Sequence, residues 1–545
     1  MPPRNATPSG GRYPRADAAP RRGSSRATRP GPAPRFGSVL GLTTLGALLP
    51  GSALVVAGAR RLGWGILALS GLLVAALVLL ATAGREKVVA WAVNPTALLA
   101  VIVLAVAVAI IWSLVIIAGY RMLAPQSTTK QQHLIGTALV TLLGLGVALP
   151  AFEVAHLASV QRDLIQTVFT DAESATVEPA RANAFAGKER VNVLLLGGDG
   201  GEGRDGVRTD TVMVASIETA TGATTLFSLP RNLEDLPFPE DSPLADVYPD
   251  GFDAGSESES LLNAVYRNGP AEYPDILGAT DNPGADFLKL GVGEALGLNL
   301  DYYVLVNLDG FNRLIDALGG ITVNVNYWVP INGEPTIGIL PDDFIAPGPN
   351  QHMDGERALH FARGRFGLND YMRMDRQRCV MSAIVAAADP MTLLLQYQEL
   401  AATTQDILRT DIPQDVLGDF AELAFKVKDA GLSSVVFDDT VIRPAYPDYD
   451  KIRSLVQQSL AAAPPPSQTP ADDDAPAAPS ATTSSGSGGG SAPNSGSGSA
   501  GTGSSGTAGA AETTPVDNVT DACAYDRVQA EQALDEGEPP TRRRR

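Results

Sequence analysis

The sequence is poor in cysteine and histidine, with two of the first and four of the second among 545 residues. A zinc centre needs several such ligands close together, so none is expected. Positive charge is also short: 41 Lys and Arg face 60 Asp and Glu, for a formal net charge of −19. No basic stripe crosses the chain and no DNA-binding motif is present, so no nucleic-acid partner is expected. The glycine-rich stretch GGDGGEGRDGVRTDT (197–211) lacks the Gly-Lys-Ser/Thr that would close a nucleotide-binding loop. The folded region has no Gly-x-Ser-x-Gly elbow, which leaves serine-hydrolase chemistry unsupported. No supersecondary unit repeats.

Large apolar side chains are nearly missing from two stretches. Residues 1–36 are rich in Arg, Pro, Gly and Ser, and residues 463–515 in Ser, Gly, Pro and Ala. Neither can bury enough surface to fold, so a disordered basic tail and a disordered linker are expected. Residues 516–545 form a C-terminal tail, acidic and closed by TRRRR.

Long hydrophobic runs are abundant between 37 and 157. The stretches 63–84, 95–119 and 134–155 are each long enough to cross a hydrocarbon core of about 30 Å. Pro50-Gly51 breaks 37–61 into two short apolar halves, which reads as a re-entrant hairpin. No cleavable signal peptide is expected, because the first apolar run comes late and within this multi-span pattern. With three spans and the basic tail inside, Arg60, Arg61, Arg121 and Lys130 lie in the cytoplasm. Arg85 and Lys87 then lie outside, a smaller count, as the positive-inside rule prefers. If 37–61 crossed as well, the domain beyond would be cytoplasmic, with Arg60 and Arg61 outside. The membrane region is followed by a connector (158–187) and a globular domain (188–462).

Within that domain, short apolar runs alternate with helical patterns. VNVLLLGG (191–198), TVMVASIE (211–218), TTLFSLP (224–230), DYYVLVNL (301–308) and ITVNVNYWV (321–329) read as strands. SESESLLNAVY (256–266), ADFLKLGVGEALGL (285–298) and DGFNRLIDALGG (309–320) read as helices. The pattern predicts an α/β fold layered around a central mixed sheet.

RGRFGLNDYMRMDRQR (363–378) packs five arginines into an acidic protein. Asn369 or Asp370 can cap a helix over 370–388. Asp370, Arg373 and Gln377 share one face of it, and Met381 and Ile384 continue that face as apolar surface. Arginine offers a rigid fork of donors suited to phosphate oxygens, and a helix start favours anions. Spacing alone leaves both a solvated face and an oxyanion site open. Asp199, Arg208, Asp210 and Arg231 stand at predicted strand ends, where α/β sheets tend to bind ligands. By itself, the Gly/Asp loop reads better as an ordinary turn.

Taken in order, GGD…RTDT, SLPRN, LLNAVY, DYYVLVNLDGFNRLIDALGGITVNV and ALHFARGR…ND..R..RQR resemble the LytR-CpsA-Psr family over roughly 190–390. The resemblance implies a phosphotransferase on the outer face of the plasma membrane. It would move a glycopolymer from a polyprenyl diphosphate carrier to a peptidoglycan acceptor. Asp199 and Asp210 would hold Mg²⁺ (or Mn²⁺). Arg231, Arg363, Arg365 and Arg373 would bind the diphosphate beside Gln377, with Asp370 the base and Arg231, Arg363 and Arg365 acting in catalysis. Arg208 and Arg376 match motif positions and are grouped with the diphosphate binders. An apolar cavity under the sheet is implied for the lipid. Asn232 departs from the family, which usually shows an acidic residue there. A non-catalytic receptor for such lipids and a transcriptional attenuator are the competing readings. Cys379 and Cys523 either form a disulfide that pins the tail to the domain or stay as separate thiols.

Overall fold

Strand β1 (Arg190–Gly198) opens the central sheet of the globular fold. The computed structural model describes residues 36–125, 129–169, 174–177, 185, 187–199, 207–388, 408–461 and 517–542. The expected linker and all but Phe36 of the expected basic tail lie outside these residues.

Helices α1 (Phe36–Leu48) and α2 (Ser52–Val56) meet at Pro50-Gly51, where Gly51 takes φ 97°, a conformation open to a residue without Cβ. Neither is long enough to span a bilayer. Helices α3 (Arg60–Ala83), α5 (Pro95–Leu123) and α6 (Lys130–Val168) are long and apolar enough to do so. Helix α6 runs through Val168, so the first part of the expected connector is helical. A short helix, α4 (Arg85–Ala92), joins α3 to α5.

The chain divides into two compact units. One holds α1, α2, α3 up to Leu72, and Ile110–Ala148. In it Val39, Ala53, Tyr120 and Leu123 cluster, and the Trp112 indole N–H donates to the Ala47 carbonyl at 3.0 Å. The other holds Leu73–Ala109 and everything from Leu149 onward.

In the second unit, β1 pairs antiparallel with β2 (Thr209–Glu218) and parallel with β4 (Tyr302–Val306). The sheet continues through β3 (Thr224–Leu229) and β10 (Leu432–Val436) to β11 (Asp517–Asn518) on one side, and through β9 (Leu408–Thr410) on the other. It is the expected mixed sheet, in the order β11-β10-β3-β2-β1-β4-β9. Two short hairpins stand beside it. β5 (Ile321–Val325) pairs with β8 (Gly348–Met353), and β6 (Val329–Ile331) with β7 (Asp343–Ile345). The run 321–329, read above as one strand, thus breaks after Val325.

Alternation along the strands decides the layers, since successive side chains face opposite ways. Leu194, Leu196, Val212, Val214 and Leu305 face the main core. There they meet α9 (Leu262–Glu272), α10 (Pro283–Leu296) and the helix Tyr449–Ala461. Two one-turn helices, α7 (Pro243–Val247) and α8 (Glu257–Ser260), precede α9. The expected helix 256–266 is split between α8 and α9 because Leu261 is extended, with ψ 152°. The opposite face carries Leu195, Met213, Val304 and Val306 toward α11 (Leu308–Ala317), α12 (Gly355–Arg363) and α13 (Asp370–Ala387). The result is helices on both faces of one sheet, the α/β layering that the strand–helix alternation called for.

Candidate active site at the ends of β1, β2 and β3

Between the sheet and α11–α13 lies a cavity of about 510 Å³. Its depth is apolar: Leu195, Met213 and Val304 from the sheet face Phe311, Met381 and Ile384 from the helices. Its mouth is charged: Asp199, Asp210, Arg231, Arg363, Arg365 and Arg373 line it, with Gln377 at the boundary. On α13 the change from charge to grease follows the helical stripe Arg373, Gln377, Val380, Met381, Ile384.

Local structure aims each mouth residue. The β1–β2 register shifts where Gly197 pairs with Thr211 and Gly198 with Thr209. Asp210 is the residue left over, so a bulge turns its carboxylate out of the ladder. Asp199 follows β1 directly; its N–H donates to the Arg208 carbonyl at 3.1 Å, and its Oδ1 accepts from the Arg208 N–H at 2.8 Å. Arg231 stands just past β3. The Asn369 side chain accepts from Met372 N–H at 2.8 Å and starts α13, which places Asp370 in its first turn.

These residues form an alternating chain of charge. Arg231 Nη1 lies 2.9 Å from Asp210 Oδ1, and Arg231 Nε lies 3.3 Å from Asp370 Oδ1. Arg373 Nη2 reaches Asp370 Oδ2 at 3.0 Å. Burial alone would push the Asp210 carboxyl up. The hydrogen bond and charge of Arg231 outweigh it, with help from Arg373 and Asn263, and the group lies below its usual value. Burial works against the Arg231 charge, but Asp210 and Asp370 hold that guanidinium above its usual value. At Arg373, only 4% exposed, burial prevails over Asp370. It still carries its charge, because guanidinium groups do not lose protons in proteins. Arg373 Nε, on a residue that lines the cavity, is buried without a protein partner and so retains polar capacity.

The structure brings Asp199, Asp210, Arg231, Arg363, Arg365, Asp370, Arg373 and Gln377 to one region. Arg365 is held at 3.1 Å by Glu334, which rises from the β6–β7 hairpin. Two arginines stand apart from the cavity lining. Arg208 pairs with Glu259 of α8 at 2.6 Å. Arg376 gives its guanidinium to Phe361, Gly364 and Tyr327.

Three neighbours had no role in the sequence reading. Asn263 lies within LLNAVY and donates to Asp210 at 3.4 Å, so only its motif flagged it. His360 lines the cavity one turn before Arg363, at a helical spacing that pointed to it. Glu334 carried no local signal.

The carboxylates also bear on a metal. Among the described residues no three acidic, His or Cys side chains converge. An all-protein cage is therefore not built among them; Mg²⁺ needs only one or two carboxylates plus phosphate oxygens and water, and Asp199 and Asp210 are two of the carboxylates that line this cavity.

The model of the LytR_cpsA_psr family matches residues 157–443. A polyisoprenyl-teichoic acid–peptidoglycan teichoic acid transferase, TagU, of Enterococcus faecalis is 31% identical over 235 residues, 42% of this chain and 63% of that protein. The alignment thus spans less than two thirds of that relative. TagU of Bacillus mycoides is 28% identical over 251 residues, 46% of this chain and 68% of its own. Among solved structures, B. subtilis TagV is 23% identical, with a TM-score of 0.34 over 50% of this chain and 97% of its own.

Proposed function

The chain belongs to the LytR-CpsA-Psr family, and from that membership and the site geometry we propose that it is a membrane-anchored phosphotransferase. It moves a glycopolymer from a polyprenyl diphosphate to a peptidoglycan hydroxyl. One observation carries the reading: a single cavity has a mouth of arginines and a depth of apolar side chains. That is the shape of a ligand with two phosphates at one end and a hydrocarbon tail at the other. Relatives named for polyisoprenyl-linked teichoic acid transfer support it.

In this reading Arg231, Arg363, Arg365 and Arg373 take the phosphate oxygens. The prenyl chain lies along Met381 and Ile384. The phosphates compete with Asp370 for Arg231 and Arg373, which frees its oxygens to accept a hydrogen bond from the acceptor hydroxyl. That hydroxyl oxygen bonds to the sugar-side phosphorus, its proton passes to Asp370, and the bridging P–O bond breaks. Prenyl monophosphate leaves with the electron pair, and the product is a phosphodiester. Asp199 and Asp210 would hold Mg²⁺ (or Mn²⁺), which neutralises charge on the diphosphate.

We place the catalytic domain outside the plasma membrane, beyond three spans. Helix α4, between the first two spans, packs along the helix Leu417–Ala430 of the domain, which supports their lying on one side. The distribution of Lys and Arg supports the same orientation.

The test is transfer by the full-length protein in detergent with Mg²⁺, a polyprenyl diphosphate-linked glycan and peptidoglycan fragments. Glycan joined to fragments by wild type, and not by Arg363→Ala or Arg373→Ala, is the expected result. Tight lipid binding without turnover would make the protein a receptor instead.

A further inference from the structure

We infer that Arg376 is a positioning residue: it closes the carboxyl end of α12 and thereby sets Arg363 and Arg365 at the cavity mouth. The inference rests on the reading above, that the mouth binds a diphosphate.

Arg376 is 3% exposed and does not line the cavity. Its Nε donates to the Phe361 carbonyl at 2.7 Å, its Nη2 donates to the Gly364 carbonyl, and its Nη1 donates to Tyr327 Oη at 2.8 Å. The last carbonyls of a helix have no partner within it, and a cation there is favoured by the helix dipole. One guanidinium supplies both needs at the end of α12. Its carbon also sits 5.7 Å from the centre of the Tyr327 ring.

The segment so held is Arg363-Gly364-Arg365. Gly364 lies tight against β6: a Cβ there would meet the Pro330 carbonyl oxygen at 2.5 Å. The turn therefore has one seat, with the Arg376 fork on one side and β6 on the other. Tyr327 completes the joint by donating to the Met372 carbonyl, in the first turn of α13, at 3.3 Å. A single buried side chain thus ties the end of α12, which carries two mouth arginines, to the start of α13, which carries Asp370 and Arg373. A lysine keeps the charge but cannot fork to three acceptors.

The experiment uses the full-length protein in detergent with Mg²⁺ and two probes: geranylgeranyl diphosphate, and geranylgeraniol, which has the tail without the phosphates. Arg376→Lys should weaken the diphosphate by about tenfold or more, as small misplacements of binding groups do. Affinity for the alcohol should stay as in wild type, while the thermal midpoint should fall because buried carbonyls lose their donor. Equal loss of both probes would make Arg376 mere packing, and no loss of either would make it idle; each overturns the inference. Should Arg376→Lys fail to fold, Tyr327→Phe, which removes the Nη1 acceptor and the bond to Met372, must show the same selective loss. Wild type that prefers the alcohol would overturn the diphosphate reading and the inference with it.

Discussion

Arg231, at the end of β3, meets Asp370, at the start of α13, with Nε 3.3 Å from Oδ1. The same guanidinium holds Asp210 at 2.9 Å, so one arginine links the proposed base to a proposed metal ligand. In the proposed reading, substrate phosphates compete with these carboxylates for the guanidinium groups.

Asp370→Asn therefore separates binding from chemistry. It removes an anion that competes for Arg231 and Arg373, so affinity for geranylgeranyl diphosphate should hold or rise. The loss of a general base should lower kcat by about 10²–10⁴-fold. Titration of the probe beside single-turnover transfer checks both. A variant that transfers at the wild-type rate would remove Asp370 from the chemistry.

Arg373→Ala should act mainly on affinity. Hydrogen bonds to charged groups are worth about 1.5–3 kcal/mol, so diphosphate binding should weaken by about tenfold to a hundredfold. Affinity for the tail alcohol should not change, because the apolar depth of the cavity is intact.

Asp199→Asn and Asp210→Asn should each raise the Mg²⁺ concentration needed for half-maximal transfer. Chelation with EDTA should abolish transfer by wild type, and added Mg²⁺ should restore it. Transfer that persists in EDTA would assign these carboxylates to positioning alone.

His360 predicts a pH dependence. Burial lowers its imidazole below the usual value of about 6.5, against the pull of Glu356 and with the push of Arg363. The unfolded chain then takes up the proton first. The stability this group contributes is complete above about pH 6.5 and falls as pH drops from there toward the lower folded value. Urea midpoints between pH 7.5 and 5 should show the decline, and His360→Gln should flatten it.

The C-terminal segment is bound to α13, and reduction should reveal it. Cys379 of α13 is bonded to Cys523, with Cα atoms 5.5 Å apart. Arg378 reaches Asp517 at 3.0 Å, Trp328 Nε1 donates to the Ala533 carbonyl at 2.9 Å, and the Arg542 N–H donates to the Pro341 carbonyl at 2.7 Å. A disulfide closing so long a loop contributes about 2–4 kcal/mol. Dithiothreitol should lower the urea midpoint of wild type and leave that of Cys523→Ser unchanged. Cys523, Asp517, Ala533 and Arg542 lie beyond the matched family region, and a protein cut at 462 loses these contacts and should be less stable.

Periodicity explains what could be read in advance. Strands β1 to β4 and helices α10 to α13 follow local apolar patterns, and the α13 stripe from Arg373 to Ile384 appears in spacing alone. The hidden parts are long-range. Nothing local announces that Asp517 and Asn518 add a strand to β10, because the stretch 463–515, which lacks large apolar side chains, intervenes. The pairings of Cys379 with Cys523 and of Arg365 with Glu334 are likewise set by tertiary packing. Five arginines crowded into 363–378 look alike in sequence. The fold divides them: Arg363, Arg365 and Arg373 to the mouth, Arg376 to the α12 terminus, and Arg378 to Asp375 and Asp517.

The most direct test follows phosphorus. The full-length protein in detergent is given Mg²⁺, peptidoglycan and a polyprenyl diphosphate-linked glycan labelled at the sugar-side phosphate. Transfer predicts that the label ends in a phosphodiester to peptidoglycan, with prenyl monophosphate released in equal amount. Label recovered as free glycan phosphate, or left on intact lipid, would contradict it.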